Sequence, residues 1–185
     1  MNASPDPDAA AMAAVARNGD AGAFSGLVEK YRAKVLNFFL RQGVSIHDGE
    51  DLAQQTFIRV WKARAGYSPD ARFSTFLFTV ARSARVDDIR RKDARRRVEE
   101  GWRENRDVLA AAGAPRRAGA AVRAAVAALS PPLREVVELA VFQEMPYAEV
   151  SAVLGIPEGT VKSRMFNAVA KLKAALSAGK KDART

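Results

Sequence analysis

Residues 146–176 read PYAEVSAVLGIPEGTVKSRMFNAVAKLKAAL, a short amphipathic segment, then a glycine and a proline, then a longer amphipathic segment. Gly155 suits the left-handed position that closes a helix, and Pro157 suits the first turn of the next one. Val161, Met165, Ala168, Leu172 and Leu176 recur at helical spacing and form one inward face. Thr160, Lys162, Ser163, Arg164, Asn167 and Lys171 are left for the other faces. A short helix, a tight turn and a longer helix with a polar, basic N-terminal half make a helix-turn-helix pattern. Its second helix would set side chains against base edges and cations against phosphates. A plain helical hairpin with a solvated face has the same periodicity. The glycine turn and the outward chemistry favour the DNA-reading alternative.

Upstream of this motif, Val122, Val126 and Leu129 form a stripe, and Pro131-Pro132 opens a helix carrying Leu133, Val136, Val137 and Val141. From Glu99 to about Gly119 periodicity fades into DVLAAAGAPRRAGAA, which reads as a linker. Before it, helical periodicity starts near Ala9. Phe24, Leu27, Val28, Tyr31, Val35, Phe38 and Phe39 recur at three and four. Residues 42–49 interrupt the pattern, and Asp48 or Gly49 is expected to cap a second helix from about Glu50 to Arg64. A turn at Gly66, Ser68, Pro69 and Asp70 precedes a third helix that begins near Phe73 and enters an arginine run. The expected fold is all-α: two small helical domains on a flexible linker, the second containing a helix-turn-helix.

Composition agrees and excludes other classes. Alanine supplies 37 of the 185 residues, so the larger apolar side chains suit two small helical bundles better than one large globule. There is no cysteine and a single histidine, His47. Disulfides and thiolate or histidine metal sites therefore lack their parts, and a Ser-His-Asp triad would have to run through His47. No catalytic residue, metal or cofactor is expected. No apolar run is long enough for a membrane span, and Asp6 and Asp8 argue against a secretory signal, so a cytoplasmic protein is expected. The net charge of +9 suits a polyanionic partner. It concentrates between Arg82 and Arg97, with eight basic and three acidic residues, and again from Lys162 to Thr185, with seven and one.

Two further segments carry outward chemistry. In GEDLAQQTFIRVWKA (residues 49–63), Ala53, Phe57, Val60 and Trp61 gather on one side, the core stripe. Asp51, Gln54, Gln55, Ile58 and Lys62 gather on the other. An isoleucine among polar residues suggests a partner surface, although single exposed apolar residues are common. In FSTFLFTVARSARVDDIRRKDARRR (residues 73–97), Phe73, Phe76, Leu77, Val80 and Ala84 form a core face. Phe78, Arg82, Arg85 and Ile89 share another, where an aromatic ring among arginines could stack on unpaired bases. The competing reading packs Phe78 and Ile89 on a neighbouring helix.

EDLAQQTFIRVW, RFSTFLFTVARSARVDDIRR and LGIPEGTVKSRMFNAVAKLK, in this order, resemble a bacterial sigma factor of the extracytoplasmic-function group. The resemblance covers about Gly19 to Leu176 except the linker. It implies a promoter-melting domain over 9–98, a linker over 99–121 and a helix-turn-helix domain over 122–178. It implies docking on core RNA polymerase through Asp51, Gln54, Gln55 and Ile58. The minus-ten element would meet Phe78, Arg82, Ser83, Arg85, Arg90 and Arg91, on the Phe73–Arg91 helix with its preceding turn. The minus-thirty-five element would meet Thr160, Lys162, Ser163, Arg164, Asn167 and Lys171. Promoter DNA, core polymerase and an anti-sigma factor are the implied partners, with nucleoid association when active. Three positions depart from the family pattern. Gln55 stands where Glu is usual, Phe76 where Trp is usual, and Ser83 where Asn is usual, a shorter side chain that would alter melting preference. The rivals are a sigma-mimicking decoy for an anti-sigma factor and a plain helix-turn-helix regulator. The first would not need two basic segments, and the second would not need the Asp51–Ile58 surface.

Overall fold

Ala-rich, amphipathic sequence with few β-branched runs forms helices, and most residues that the computed structural model describes lie in helices. It describes residues 6–100 and 120–182, with side chains over 6–97 and 121–177. Among these residues there is no strand. Residues 6–39 and 46–100 form one unit, and residues 40–45 and 120–182 form another. The linker expected at 99–121 lies outside the described residues except at its two ends, where helices reach Glu100 and begin at Ala120.

The first unit holds α1 (Pro7–Asn18), α2 (Ala21–Arg41) except its last two residues, α3 (Ile46–Lys62) and α4 (Phe73–Glu100), with a short 3-10 turn at Arg64–Gly66. The periodicity that starts near Ala9 is two helices rather than one. Gly19 adopts φ 64°, where its N–H donates to Val15 O at 2.9 Å and ends α1. The Asp20 carboxylate then accepts from Ala23 N at 2.9 Å and caps α2. Helix α3 starts at Ile46, earlier than expected, so Asp48 lies in its first turn and Gly49 is buried inside it; neither is the cap. Met12, Val15, Leu27, Val35, Phe39, Val60, Phe73 and Leu77 are buried in this unit. Tyr31 sits edge-on to Phe73 with centroids 5.2 Å apart, and Phe38 meets Phe78 at 5.4 Å. Aromatic side chains thus bridge α2 to α4 and add to the apolar area buried by the aliphatic core.

The second unit holds α5 (Ala120–Ala127), α6 (Pro131–Val137), α7 (Tyr147–Leu154) and α8 (Glu158–Asp182). Helix α6 widens into a π-helical turn over Glu138–Phe142. That change of pitch rotates the residues after Val137, and Val141 is left 55% exposed although α6 periodicity reads it as inward. Val122, placed with Val126 and Leu129 by spacing, is also exposed, because α5 has only begun there. Val126, Leu129, Leu133, Val136, Val150, Val153, Val161 and Ala168 are buried.

Candidate partner and nucleic-acid interfaces

Three surfaces emerge from these helices. The first is the outer side of α3, where Asp51, Gln54 and Lys62 are exposed and Ile58 keeps 46% of its surface in water. Gln55 is half-buried and accepts from Arg91 Nη2 at 3.5 Å. Beside Ile58 a groove of about 620 Å³ runs between α2 and α3, walled by Phe24, Val28, Leu36, Phe57 and Trp61. Phe24 and Trp61 rings are 5.0 Å apart, and the Arg64 guanidinium lies 4.5 Å from the Trp61 centroid. Trp61, which the sequence places in the core, is therefore only half-buried and serves as a groove wall. The contribution of α2 was missed. Its signal was the second apolar line Phe24, Val28, Leu36 alongside the core line Leu27, Tyr31, Val35, Phe38.

The second surface is α4 with the turn before it. Phe78 has to be corrected: it is 1% exposed and packs on Phe38, so its ring has no open face for a base. Arg85 is half-buried and pairs with Asp88 at 2.9 Å, while Arg82 is half-buried and Ser83, Arg90 and Arg91 are exposed. Ion pairs also tie α4 to α3. Arg59 meets Asp87 at 2.6 Å, and Lys92 meets both Asp48 at 3.0 Å and Asp88 at 3.2 Å. Partial burial alone would lower the Lys92 pKa, but those two carboxylates hold it above the usual lysine value. Arg95, Arg96 and Arg97 remain exposed on the same helix.

Before α4, residues 68–72 are exposed, the Ser68 hydroxyl donates to Asp70 Oδ2 at 2.6 Å and the Tyr67 hydroxyl donates to Ala71 O at 3.2 Å. Burial pushes the Tyr67 hydroxyl up to about 12, with the charges of Asp6 and Asp8 adding to it. The two aspartates, used at the sequence level only against a secretory signal, hold this corner. The Asp6 carboxylate accepts from Asp8 N at 3.1 Å and from Phe73 N at 3.2 Å. Asp8 is buried and accepts from Lys30 Nζ at 2.7 Å and from the Tyr31 hydroxyl at 2.6 Å. Its burial would raise its pKa, yet the Lys30 and Tyr31 donors and the Lys30 charge hold it below the usual carboxylate value.

The third surface is α8. Gly155 takes φ 65°, its N–H donates to Ser151 O at 2.9 Å, and the Ser151 hydroxyl donates to Ile156 O at 2.6 Å. The Pro157 carbonyl then accepts from Thr160 N and Val161 N, starting α8. Val161, Met165 and Ala168 face inward. At about 100° per residue, Ser163, Phe166 and Asn167 point most directly away from that core. Lys162, Ser163, Asn167 and Lys171 are exposed; Thr160 and Arg164 are half-buried at the edge of the arc. Lys162 pairs with Glu158 at 2.8 Å, which raises its pKa. Phe166 was missed and is the most exposed large apolar side chain described, at 76%. Its signal was of the kind that marked Ile58: an apolar residue opposite a helix's own core stripe.

Among the described residues no group of three or more His, Asp or Glu could hold a metal ion, and no helix is long and apolar enough to cross a membrane. Family models described as Sigma-70 region 2 and Sigma-70, region 4 match residues 27–95 and 119–172. The ECF RNA polymerase sigma factor RpoE of Cereibacter sphaeroides is 30% identical over 171 residues, spanning 91% of this chain and 94% of that protein. The RNA polymerase sigma factor CnrH of Cupriavidus metallidurans is 29% identical over 179 residues, spanning 90% and 93%. A solved structure of CnrH in complex with the cytosolic domain of CnrY superposes with a TM-score of 0.69 at 27% identity, covering 94% of this chain and 99% of that one.

Proposed function

The chain belongs to the extracytoplasmic-function RNA polymerase sigma factors, and from that membership we propose how its surfaces divide the work of initiation. The domain over 9–98 docks on core polymerase and opens the minus-ten element. The 99–121 segment tethers it to the 122–178 domain, which reads the minus-thirty-five element. Docking runs through Asp51, Gln54, Gln55 and Ile58 on α3, with the adjoining α2–α3 groove receiving an apolar side chain of the polymerase. The observation that carries this reading is Ile58, held in water on the rim of an apolar groove.

Strand opening belongs to α4 and the turn before it. Arg82, Arg85, Arg90 and Arg91 supply cations along the helix, Ser83 a hydroxyl, and the exposed turn at 68–72 a surface for unpaired bases. Phe78 has a packing role only. Upstream, Ser163, Phe166 and Asn167 face base edges, with Phe166 suited to a thymine methyl. Lys162, Lys171, Thr160 and Arg164 flank them toward the backbone. The chain itself performs no covalent chemistry. Contacts with the upstream duplex position the complex, and capture of unstacked bases offsets the cost of opening. The protein acts where polymerase is, in the cytoplasm and on the nucleoid. CnrH was solved bound to a second protein's cytosolic domain. An anti-sigma factor that covers the α3 surface would hold this chain off polymerase.

Co-purification with core polymerase followed by promoter-dependent run-off transcription tests the proposal. Binding with promoter-selective transcripts supports it. Promoter binding without polymerase would make the chain an ordinary helix-turn-helix regulator, and binding to an anti-sigma factor alone would make it a decoy.

A further inference from the structure

Helix α4 begins with a backbone amide that its own neighbourhood does not satisfy. Arg72 takes the position before the helix, where its carbonyl accepts from Thr75 N at 3.1 Å and Phe76 N at 3.3 Å. An arginine side chain has no acceptor to offer as a cap, and Ala71 has no polar side chain. The acceptor for Phe73 N comes instead from Asp6 Oδ2, sixty-seven residues away in sequence. The other oxygen of the same carboxylate caps α1 through Asp8 N. One side chain therefore begins two helices and ties them together.

The Phe73 ring is held from a second direction. It meets Tyr31 edge-on at 5.2 Å, and the Tyr31 hydroxyl donates to the buried Asp8. One turn further on, Phe76 packs against Tyr67 at 5.2 Å, and Tyr67 closes the turn through Ala71 O. Tyr67, Phe73 and Phe76 are thus held on the inner side of the turn, while residues 68–72 are exposed to solvent. We infer that Asp6 is a positioning residue for strand opening: it fixes the first turn of α4 so that the exposed 68–72 surface meets the unpaired strand in one geometry. The inference rests on the reading of α4 and its turn as the melting surface.

The test uses holoenzyme reconstituted from core polymerase and the full chain carrying Asp6→Ala or Asp6→Asn. Three affinities are measured: for core polymerase, for an upstream duplex, and for a fluorescent single-stranded oligonucleotide carrying the non-template minus-ten strand of a promoter that the holoenzyme transcribes. Asp6→Ala should weaken single-strand binding about five- to tenfold, the scale of a lost cap, and leave the other two unchanged. Asp6→Asn keeps one of the two acceptor oxygens and should recover part of the loss. Hydrogen exchange of the first-turn amides of α4 should quicken in both variants. Unchanged single-strand binding, unchanged exchange, or an equal loss of all three affinities would each overturn the positioning role. If wild-type holoenzyme itself does not hold the single strand, the melting assignment of α4 fails first and this inference falls with it.

Discussion

Ile58 and Phe166 are large apolar side chains that the folded chain leaves in water, and each asks for a partner. Replacing Ile58 by Glu should weaken core polymerase binding by about 2 kcal/mol or more if the contact is desolvated, with helicity and Tm unchanged; titration calorimetry beside thermal melts checks this. Phe166→Ala and Asn167→Ala should each cost about 1–3 kcal/mol on the preferred upstream element and relax preference at one or two positions. Lys171→Ala should instead weaken all upstream sequences alike and reduce the salt slope by about one. A selection of bound sequences at two salt concentrations separates these outcomes. Ile58 was legible in sequence because everything on its arc is polar. Phe78 was not. Its arc continues into Arg82 and Arg85, yet an arginine two turns along can carry its guanidinium outward past apolar neighbours, whereas Phe78 sits at the level where α2 crosses. Which neighbour covers a residue depends on a helix far away in sequence, and periodicity holds no record of that.

Local rules served best where one residue determines the backbone. Gly155 and Pro157 marked the helix-turn-helix because a left-handed residue and a helix start have chemical preferences of their own. The same rule at Gly19 was available, but an Ala-rich stretch kept its apolar rhythm across the break and hid it. The π-helical turn at 138–142 has no comparable mark, since no glycine or proline stands within it. Two glycine replacements put numbers on the backbone argument. Gly155→Ala meets no atom within 4 Å but must hold φ at 65°, so it should cost about 1–2 kcal/mol. Gly26→Ala, in the exposed middle of α2 with equally open space, should gain about 0.5–1 kcal/mol. Chemical denaturation of the pair should give shifts of opposite sign.

Across the whole molecule, charge and pH tell where the polar contacts matter. Asp8 is held below its usual pKa in the folded state. Its contribution is therefore complete above the ordinary carboxylate value near 3.9 and fades as pH falls through the folded value. Lys92 runs the other way: its folded pKa is raised, so its contribution is complete below the ordinary lysine value and fades as pH rises through the folded one. Asp8→Asn should flatten the acid limb of a stability-against-pH curve, and Lys92→Met the alkaline limb. Each unit also has a core of its own. A fragment of residues 1–98 should bind core polymerase nearly as well as the full chain, and residues 120–182 should not displace it in a competition assay.

Helix α8 is seated by one set of residues, and a different set is proposed to read the upstream element. Val161, Met165 and Ala168 are buried in the bundle, while Ser163, Phe166 and Asn167 are exposed on the opposite arc. Substitutions on the outer arc leave folding stability nearly alone, so such a scaffold can be duplicated and its copies can drift apart in promoter choice. If that arc reads the upstream element as proposed, varying three or four side chains on one helix is enough to keep the regulons of several such factors apart.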